Sequence, residues 1–441
     1  MAVPLFQDRR QHTRQLIGAA LDAVNPGRLV GEHLHLNQQT LTIGDNYAFN
    51  LAKGRIFLVG VGKAAGQMAA PAVDRIGRYL AGGVVITKKG FLKGGYPQIQ
   101  GTAVRFFEAG HPVPDDAGIK ATTAVIDLLG QTTKDDLVLC LISGGTSALL
   151  TQPLIPQAVW QELITSLLEA GCPIQEVNTV RQQFDAIKGG GLARFAAPAA
   201  CMTLILSDVI GNSPAAIGSG PTVAVPADPA AAEDILIRYN IASRLKSESW
   251  QMLQHVLAGR QKRAEKPLLN VYNKIIGDVS LAAQAAVNGA AAMGFSATLL
   301  TTRLEGEARE VGQAAAALAK DCRPNSLLVL GGETTVSIRG SGLGGRNQEL
   351  ALSAAISLDG QPRTAVATFA TDGDDGLTDA AGAIVTGETV QKAHQQGLDP
   401  AAYLDNNDSF NFFNQLEDHH IKTGPTGTNV NDLIFIMRYN M

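Results

Sequence analysis

Two glycine-rich loops contain groups that are able to bind an anion. The loop GVGKAA (60–65) contains Lys63 and lies between an apolar run and a predicted helix. The second loop follows the apolar run 137–142 and consists of Ser143, Gly144, Gly145, Thr146 and Ser147. Because these loops carry few bulky side chains, their amides and hydroxyls can approach phosphate oxygens, and Lys63 can bind a carboxylate or a phosphate. Together the two loops predict a ligand that bears phosphate.

Three further cations accompany these loops. The apolar spacing of 177–188 predicts a helix, on which Arg181 and Lys188 are seven residues apart and therefore share one face. Such a pair is commonly solvated, and the alternative is that it binds an anion. Arg346 follows two glycines at a predicted helix start. An arginine there can bind a carboxylate or a phosphate through two hydrogen bonds.

Carboxylates follow two other apolar runs. Asp208 comes after 204–206, where it is a candidate base or metal ligand, with helix capping as the equal alternative. The motif TDGDDG (371–376) contains Asp372 but does not fit an EF-hand, because the twelfth position from Asp372 is Ala383 rather than glutamate. Magnesium held by one or two carboxylates and by substrate phosphates fits this pattern better. Asp208 and Asp372 are therefore the candidate magnesium ligands, and Asp208 is equally a candidate base or helix cap.

Several motifs of known chemistry are missing from the sequence. No Gly-Lys-Ser or Gly-Lys-Thr sequence occurs, which excludes a Walker A loop, and the signatures of protein kinases do not occur either. The spacing GxGxxA (60–65) matches a relaxed dinucleotide fingerprint. However, the acid that would bind the ribose at the end of the next strand is replaced by TKK (87–89). A nicotinamide cofactor is therefore the weaker alternative.

Continuous apolar runs predict the strands that position these groups. Such runs are typical of parallel strands buried on both faces, and the helices between them indicate a doubly wound α/β sheet. The predicted strands are 56–59, 83–86, 137–142, 204–206, 272–276, 327–330, 365–370 and 433–437. Thr335–Arg339 is predicted as an antiparallel strand, because only a short turn separates it from 327–330. The second sheet is therefore expected to be mixed.

The composition limits the class of protein. The chain has 441 residues, of which 45% are hydrophobic and 17% charged, so two or three packed domains are expected rather than a disordered chain. Its net charge of −4 argues against a nucleic-acid polymer as partner. No run reaches the ~18 apolar residues of a membrane helix, and four scattered cysteines fit a reducing compartment. We expect a cytoplasmic protein with no membrane partner, a charged linker around 258–267, and domains at 1–262 and 263–441.

Eight segments, in order along nearly the whole chain, resemble the glycerate kinases whose C-terminal part is the MOFRL domain. The segments are GVGKAA (60–65), EAGHPVPD (108–115), LISGGTSALL (141–150), NTVRQQFDAIKGGGLA (178–193), LSDVIGNSPAAIGSGPT (206–222), GGETTVSIRGSGLGGRNQELAL (331–352), FATDGDDGLTDAAGA (369–383) and GPTGTNVNDL (424–433). The resemblance implies a Rossmann-like first domain and a second α/β domain that contains the MOFRL region at about 325–438. It also implies an active site in the cleft between the two domains.

The resemblance implies ATP-dependent phosphorylation of D-glycerate to 2-phosphoglycerate, with a divalent metal such as magnesium. Lys63 and Arg346 match the active-site cations of the family, and we assign Asp208 to catalysis with them. ATP binding is assigned to the loop 143–147 and to four further polar residues, Lys188, Asn212, Glu333 and Asn347. Some members are named hydroxypyruvate reductases, so NAD(P)H-dependent reduction of hydroxypyruvate is the alternative activity. A homodimer is the assembly that we consider.

Overall fold

The computed structural model describes residues 4–45, 47–91, 103–260 and 268–440. These residues divide into two units. Pro26–Ile276 form the first unit, and the second combines the chain from Gly277 onward with the segment that ends at Asn25. The predicted linker at 258–267 lies largely outside the described residues.

Helices and strands alternate along most of the chain. The helices are α1 (Phe6–Ala23), α2 (Pro26–His33), α3 (Ala65–Ile76), α4 (Asp116–Leu129), α5 (Thr146–Leu149), α6 (Gln157–Glu169), α7 (Ile174–Phe184), α8 (Gly191–Ala196), α9 (Pro229–Arg238), α10 (Ser247–Arg260), α11 (Val279–Ala292), α12 (Ala308–Asp321), α13 (Arg346–Leu358), α14 (Thr389–Gln395), α15 (Pro400–Asp405) and α16 (Ser409–Gln415). The strands are β1 (Leu34–Asn37), β2 (Thr40–Ile43), β3 (Tyr47–Asn50), β4 (Ile56–Val61), β5 (Leu80–Lys88), β6 (Val104–Ala109), β7 (Leu137–Ile142), β8 (Ala200–Leu206), β9 (Val271–Gly277), β10 (Ser296–Leu304), β11 (Ser326–Gly332), β12 (Thr364–Ala370), β13 (Gly382–Thr386), β14 (His420–Ile421) and β15 (Asp432–Arg438). Each of the eight segments predicted as buried strands lies within one of these strands.

The first unit is built on a six-stranded sheet with the order β6-β5-β4-β7-β8-β9. The pairs from β6 to β8 are parallel, and every residue of the central strands β4 and β7 is buried. This confirms the doubly wound sheet, whose order reverses between β4 and β7. Lys63 follows β4 and Ser143 follows β7, so both lie at the reversal, where ligands bind in open α/β sheets.

A separate apolar cluster in the first unit positions α7. Val177, Val180 and Phe184 are fully buried on this helix and pack in a cluster with Trp160. The prediction that the helix continues to Lys188 is wrong, because it ends at Phe184 and Asp185 is extended. The backbone of 184–186 pairs instead with 152–154, through Leu154 N to Phe184 O at 2.8 Å and a bridge at Asp185.

The second unit has a mixed six-stranded sheet with the order β10-β11-β15-β12-β13-β14. β10 and β11 are parallel, whereas β15 lies antiparallel between β11 and β12. The mixed sheet is confirmed, but the predicted strand Thr335–Arg339 is wrong. Thr335 forms only an isolated parallel bridge with Glu307, and β15, about a hundred residues later in the chain, occupies the place beside β11.

The division into units differs from the expected domains 1–262 and 263–441 at both ends of the first unit. β9 is the sixth strand of the first sheet, so this unit extends to Ile276. At the other end α1 packs on α11 of the second unit through a buried stripe that includes Leu16, Ile17 and Ala20. The first helix of the chain therefore belongs to the later unit.

Within the described residues, no helix is both long enough and apolar enough to cross a membrane. The four cysteines are free thiols, and Cys140 and Cys201 approach each other at 3.7 Å between their sulfur atoms.

Candidate active site

Lys63 and the loop 143–147 come together at the reversal of the first sheet. Lys63 N donates to Gly144 O at 2.9 Å, and Ala64 N donates to Ser143 Oγ at 3.0 Å. A Cβ placed on Gly145 would lie 3.5 Å from Lys63 Cγ and 3.1 Å from His111 Cδ2. The lysine, the loop and the His111 ring are therefore immediate neighbours, as the parallel order of β4 and β7 predicts.

The amides of the two loops differ in what they bind. In 62–65 every amide is used within the protein: Gly62 N donates to Ile86 O, Lys63 N to Gly144 O, Ala64 N to Ser143 Oγ and Ala65 N to Gly62 O. In the part of the chain that the structure describes, the amides of Gly144 and Gly145 donate no hydrogen bond. Gly144 is buried and Gly145 half-buried. A buried amide normally has a partner, so these two amides are suited to donate hydrogen bonds to an anion.

The hydroxyls of the loop 143–147 hold the loop itself together. Ser143 Oγ accepts from Ala64 N, and Thr146 Oγ1 bonds to Val61 O at 2.9 Å and to Ser143 O at 2.7 Å. Ser147 Oγ lies 2.7 Å from Ser219 Oγ. The amides of Gly144 and Gly145, rather than the hydroxyls of the loop, are therefore the groups available to bind a ligand.

Arg181 and Lys188 converge on Ser147 although they do not share a helix. Arg181 Nη1 donates to Ser147 Oγ at 3.0 Å, and Lys188 Nζ donates to Ser147 O at 2.8 Å and to Leu150 O at 2.5 Å. Both side chains are buried rather than solvated. Burial lowers the pKa of Lys188 to about 8 and that of Arg181 to about 10, while the charge of Asp185 opposes both shifts.

Asp208 and Asn212 lie in the loop that follows β8, the strand next to β7. Both are half-buried, and Asn212 has a left-handed backbone with φ +56°. The same loop continues to Ser219, whose Oγ donates to Asn178 Oδ1 at 2.8 Å. The loop after β8 is thereby fastened to α7 and to the loop 143–147.

In the second unit Arg346 is surrounded by carboxylates. Its Nε and Nη2 donate to the two oxygens of Asp432 at 2.5 and 2.9 Å, and its Nη1 lies 2.6 Å from Glu333 Oε1. Asp432 begins β15 and is paired in register with both Gly332 of β11 and Ala370 of β12. This register explains the cluster, because it places Asp432 between the carboxyl ends of two parallel strands.

Burial and charge act in opposite directions within this cluster. Burial raises the pKa of Asp432 to about 7, although Arg346 opposes the rise. Burial would lower the pKa of Arg346, but Asp432 and Glu333 outweigh it and hold the pKa above its ordinary value. Arg346 therefore remains a cation, and its side chain is 32% exposed.

Asp375 fixes the helix start that carries Arg346. It is buried, and its carboxylate accepts from Asn347 N at 3.1 Å and from Gln348 N at 2.9 Å. Asn347 is itself buried in this cap, and its carbonyl accepts from Thr368. Asp372 follows β12 and is half-buried. Its Oδ1 accepts a hydrogen bond from Asp374 N at 3.3 Å.

The predicted metal ligands lie in different units, Asp208 in the first and Asp372 in the second. Among the described residues, no group of three or more histidines, cysteines, aspartates and glutamates is arranged to hold a metal ion. Magnesium is commonly bound through one or two carboxylates together with substrate phosphates. Each aspartate, partly exposed at a strand's carboxyl end, fits that mode of binding.

Asp432 and Asp375 are site residues that sequence reasoning missed. Asp375 was within reach, because it belongs to the motif TDGDDG (371–376). The signal for Asp432 was weaker: it is the last polar residue of NVND (429–432) before the apolar run 433–437. Nothing in that local pattern indicates that β15 inserts between β11 and β12.

Two family models and several named proteins match the chain. Residues 12–254 match a family described as a domain of unknown function, DUF4147, and residues 326–432 match the MOFRL family. A D-glycerate 2-kinase of Thermotoga maritima is 40% identical over 95% of this chain and 96% of its own length. A protein of Agrobacterium vitis with the provisional name hydroxypyruvate reductase is 38% identical over 87% of this chain and 99% of its own.

A solved structure is similar over the same extent. The crystal structure of a glycerate kinase from Thermotoga maritima matches with a TM-score of 0.84 at 38% sequence identity. The match covers 98% of this chain and 100% of that one.

Proposed function

The chain belongs to the family of glycerate kinases that carry a MOFRL domain, and we propose that it is a glycerate 2-kinase. It transfers the terminal phosphoryl group of ATP to O2 of D-glycerate, giving 2-phosphoglycerate and ADP. The relatives that carry glycerate kinase names match it over nearly their full length.

The observation that carries the proposal is the structure of the loop 143–147. It lies at the reversal of a doubly wound sheet, its amides at Gly144 and Gly145 are unused in the described part of the chain, and Lys63 lies beside it. Oriented amides and cations at such a position bind phosphate. Phosphoryl transfer needs this positioning and neutralisation of charge more than it needs covalent chemistry.

The reductase alternative loses its main support. A dinucleotide loop binds the pyrophosphate through backbone amides, but the amides of 62–65 are all bonded to protein oxygens. A Cβ on Gly62 would lie 2.2 Å from Ser143 Oγ, so this glycine serves the close approach of two loops. The match of GxGxxA (60–65) to the fingerprint is therefore explained by packing.

The roles of the residues follow from their charge. Lys63 and Arg346 neutralise the glycerate carboxylate or the transferring phosphoryl group. Asp208 or Asp372 would hold magnesium, and the other would orient the O2 hydroxyl or accept its proton as O2 attacks phosphorus and ADP leaves. Magnesium, when bound, neutralises the charge that spreads over the β- and γ-phosphate oxygens.

The remaining predictions about ligands are part of the same proposal. Lys188, Asn212, Glu333 and Asn347 are kept as candidate ATP-binding residues. Lys188 and Asn347 would act from within the protein, because both are buried. Free thiols in the four cysteines support a cytoplasmic location. The homodimer remains a prediction.

The test is an assay of the purified protein with D-glycerate, ATP and magnesium, in which ADP release is followed and the new phosphate is located by phosphorus NMR. We expect glycerate-dependent ADP release with phosphate on O2. Phosphate on O3 would still show a glycerate kinase, but it would contradict 2-phosphoglycerate as the product. Oxidation of NADH or NADPH by hydroxypyruvate, without ADP release from glycerate, would establish the reductase.

A pair of lysine variants tests the role of Lys63. Lys63→Met keeps the apolar stem beside Gly145 and removes the charge, so we expect most of the activity to be lost while the fold is retained. Lys120→Met removes a charge from the exposed face of α4 and should leave kcat/KM unchanged. Equal activity of the two variants would remove Lys63 from the mechanism.

A further inference from the structure

Two cations are buried beneath the loop 143–147, and the negative charge near them neutralises them only in part. Arg181 is 5% exposed and Lys188 is 3% exposed. The charged groups that act on Lys188 are Asp185 and Arg181, so two cations face one carboxylate. Burying an excess charge in a protein is costly unless a partner of opposite sign is present for part of the time.

Asp185 is occupied by a hydroxyl and two backbone amides rather than by the cations. Its carboxylate accepts from Thr151 Oγ1 at 2.6 Å, from Gln152 N at 3.0 Å and from Ile187 N at 2.9 Å. Arg181 Nε is buried and has no hydrogen-bond partner within the described residues. The positive charge beneath the loop is therefore only partly neutralised by the protein.

The hydrogen bonds around Ser147 have a fixed direction. Asn178 donates from its amide to Ala216 O at 3.3 Å, so its Oδ1 accepts from Ser219 Oγ. Ser219 has then used its proton, and Ser147 must donate to Ser219 while it accepts from Arg181. The hydroxyl of Ser147 has no proton left for a ligand, and Arg181 acts on the site through it.

We propose that Arg181 and Lys188 form the electrostatic base of an anion subsite whose ligand contacts are the amides of Gly144 and Gly145. The subsite rests on the proposed kinase function only for the identity of the anion. That anion is either a phosphoryl group of the nucleotide or the carboxylate of glycerate. Both cations are positioning residues, because neither is exposed enough to touch the ligand. The anion supplies the negative charge that the buried network lacks.

The subsite predicts a characteristic dependence on pH. Because the pKa of Lys188 lies at about 8, its proton is lost over a range in which surface lysines remain charged. Anion binding should weaken as the pH rises through that range in the wild-type protein. In Lys188→Met this component of the pH profile should disappear, which a merely structural lysine would not produce.

The experiment measures binding of inorganic pyrophosphate, ATP and D-glycerate separately, by calorimetry, to the full chain. The variants are Lys188→Met, Arg181→Met and Arg181→Lys, with Lys120→Met as the control for loss of a single charge from an exposed position. We expect Lys188→Met and Arg181→Met to bind the relevant anion about tenfold more weakly or worse, since the lost charge acts in a medium of low dielectric. Arg181→Lys should recover part of the affinity.

The three ligands distinguish the two sources of the anion. Weaker binding of pyrophosphate and ATP with unchanged glycerate binding assigns the subsite to the nucleotide phosphates, and the reverse assigns it to the glycerate carboxylate. Unchanged affinity of the folded variants for all three ligands would overturn the proposal. If pyrophosphate raises the thermal stability of the wild-type protein but not that of Lys188→Met, the result supports the subsite. This result does not depend on turnover of glycerate. The subsite and the kinase function can therefore be refuted separately.

Discussion

Arg346 donates two parallel hydrogen bonds to the carboxylate of Asp432, and these bonds fix the plane of its guanidinium. Glu333 binds the remaining Nη1, and Asn431 Nδ2 holds Glu333 Oε2 at 3.0 Å. Two carboxylates on one arginine would leave it little capacity for a substrate anion unless one of them is displaceable. Glu333 is 43% exposed and Asp432 is buried. Glu333 is therefore the partner that a ligand can replace, and Asp432 is the fixed one.

The Asp432→Asn variant tests this division of roles. Asparagine keeps the shape but offers one acceptor and no charge, so the guanidinium loses its fixed plane. A misplacement of about 1 Å in a catalytic group costs about 100-fold in rate, and we expect a loss of that order in kcat/KM. Asp379→Asn is the control, because Asp379 pairs with Lys422 at the exposed surface. Similar kinetics for both variants would contradict the role of Asp432.

Asp136 is a buried carboxylate that is bound by Arg55 and Thr133. Burial would raise its pKa, but hydrogen bonds from Arg55 and Thr133 outweigh burial and lower the pKa to about 2. Because the pKa is lower in the folded protein, the carboxylate stabilises the fold above its ordinary pKa, and this contribution is lost as the pH falls through about 2.

We therefore expect Asp136→Asn to lower the free energy of unfolding by about 2 kcal/mol near pH 6. The difference between variant and wild type should shrink progressively as the pH falls below 4. Denaturant unfolding followed at several pH values checks this. A difference that is independent of pH would mean that packing, not charge, is responsible.

At the scale of an element, the start of α13 is the point at which secondary structure and site are coupled. Asp375 accepts from the amides of Asn347 and Gln348 in the first turn of this helix and from Gln348 Nε2 at 3.0 Å. His420 Nε2 lies 3.2 Å from Gln348 Oε1, so the side chain of Gln348 is oriented at both ends. The helix can thus present Arg346 in one position.

Asp375→Ala and Asp399→Ala form a matched pair of helix-cap variants within the second unit. Asp399 accepts from Ala401 N at 3.0 Å at the start of α15. Loss of a cap costs about 1 kcal/mol, so both variants should unfold more easily. We expect only Asp375→Ala to lower kcat/KM strongly, since only its helix carries Arg346. Equal losses of activity would show that general destabilisation is the cause.

At the scale of the whole molecule, the first helix of the chain is a structural part of the second unit. Arg9 on α1 is buried and donates to Thr364 O at 3.3 Å, to Pro362 O and to Glu388. Thr428 Oγ1 donates to Val24 O at 2.9 Å. Residues more than 350 positions apart are therefore joined.

The Arg9→Met variant should loosen the second unit selectively. It removes the bonds to Thr364 and Glu388 while keeping an apolar stem, so amides of β12 and β13 should exchange with solvent faster. Amides of β4 and β7 should be unaffected. Arg14→Met, on the exposed face of the same helix, is the control. Hydrogen exchange measured by mass spectrometry separates these cases, and faster exchange in both units would contradict the assignment of α1.

Local pattern was sufficient for eight of the strands and for the start of α13, whereas β1, β2, β3, β6, β10, β13 and β14 were not predicted. A continuous apolar run forms a strand that can be buried on both faces, and Gly345 and Arg346 mark the start of α13 by their local sequence alone. Parallel order then places Lys63 beside the loop 143–147, because adjacent parallel strands end at the same edge. These results depend on interactions between residues close in sequence or on a rule of sheet topology.

Only the tertiary structure decided the pairing of elements that are distant in sequence. It selected β15 rather than Thr335–Arg339 as the neighbour of β11, which made Asp432 the partner of Arg346. It also ended α7 at Phe184 and buried Lys188 with Arg181 instead of leaving them solvated. The physical reason is that an apolar strand or a charged side chain fits many partners equally well by its local sequence. The choice among them is made by the packing of the whole core, which no local pattern records.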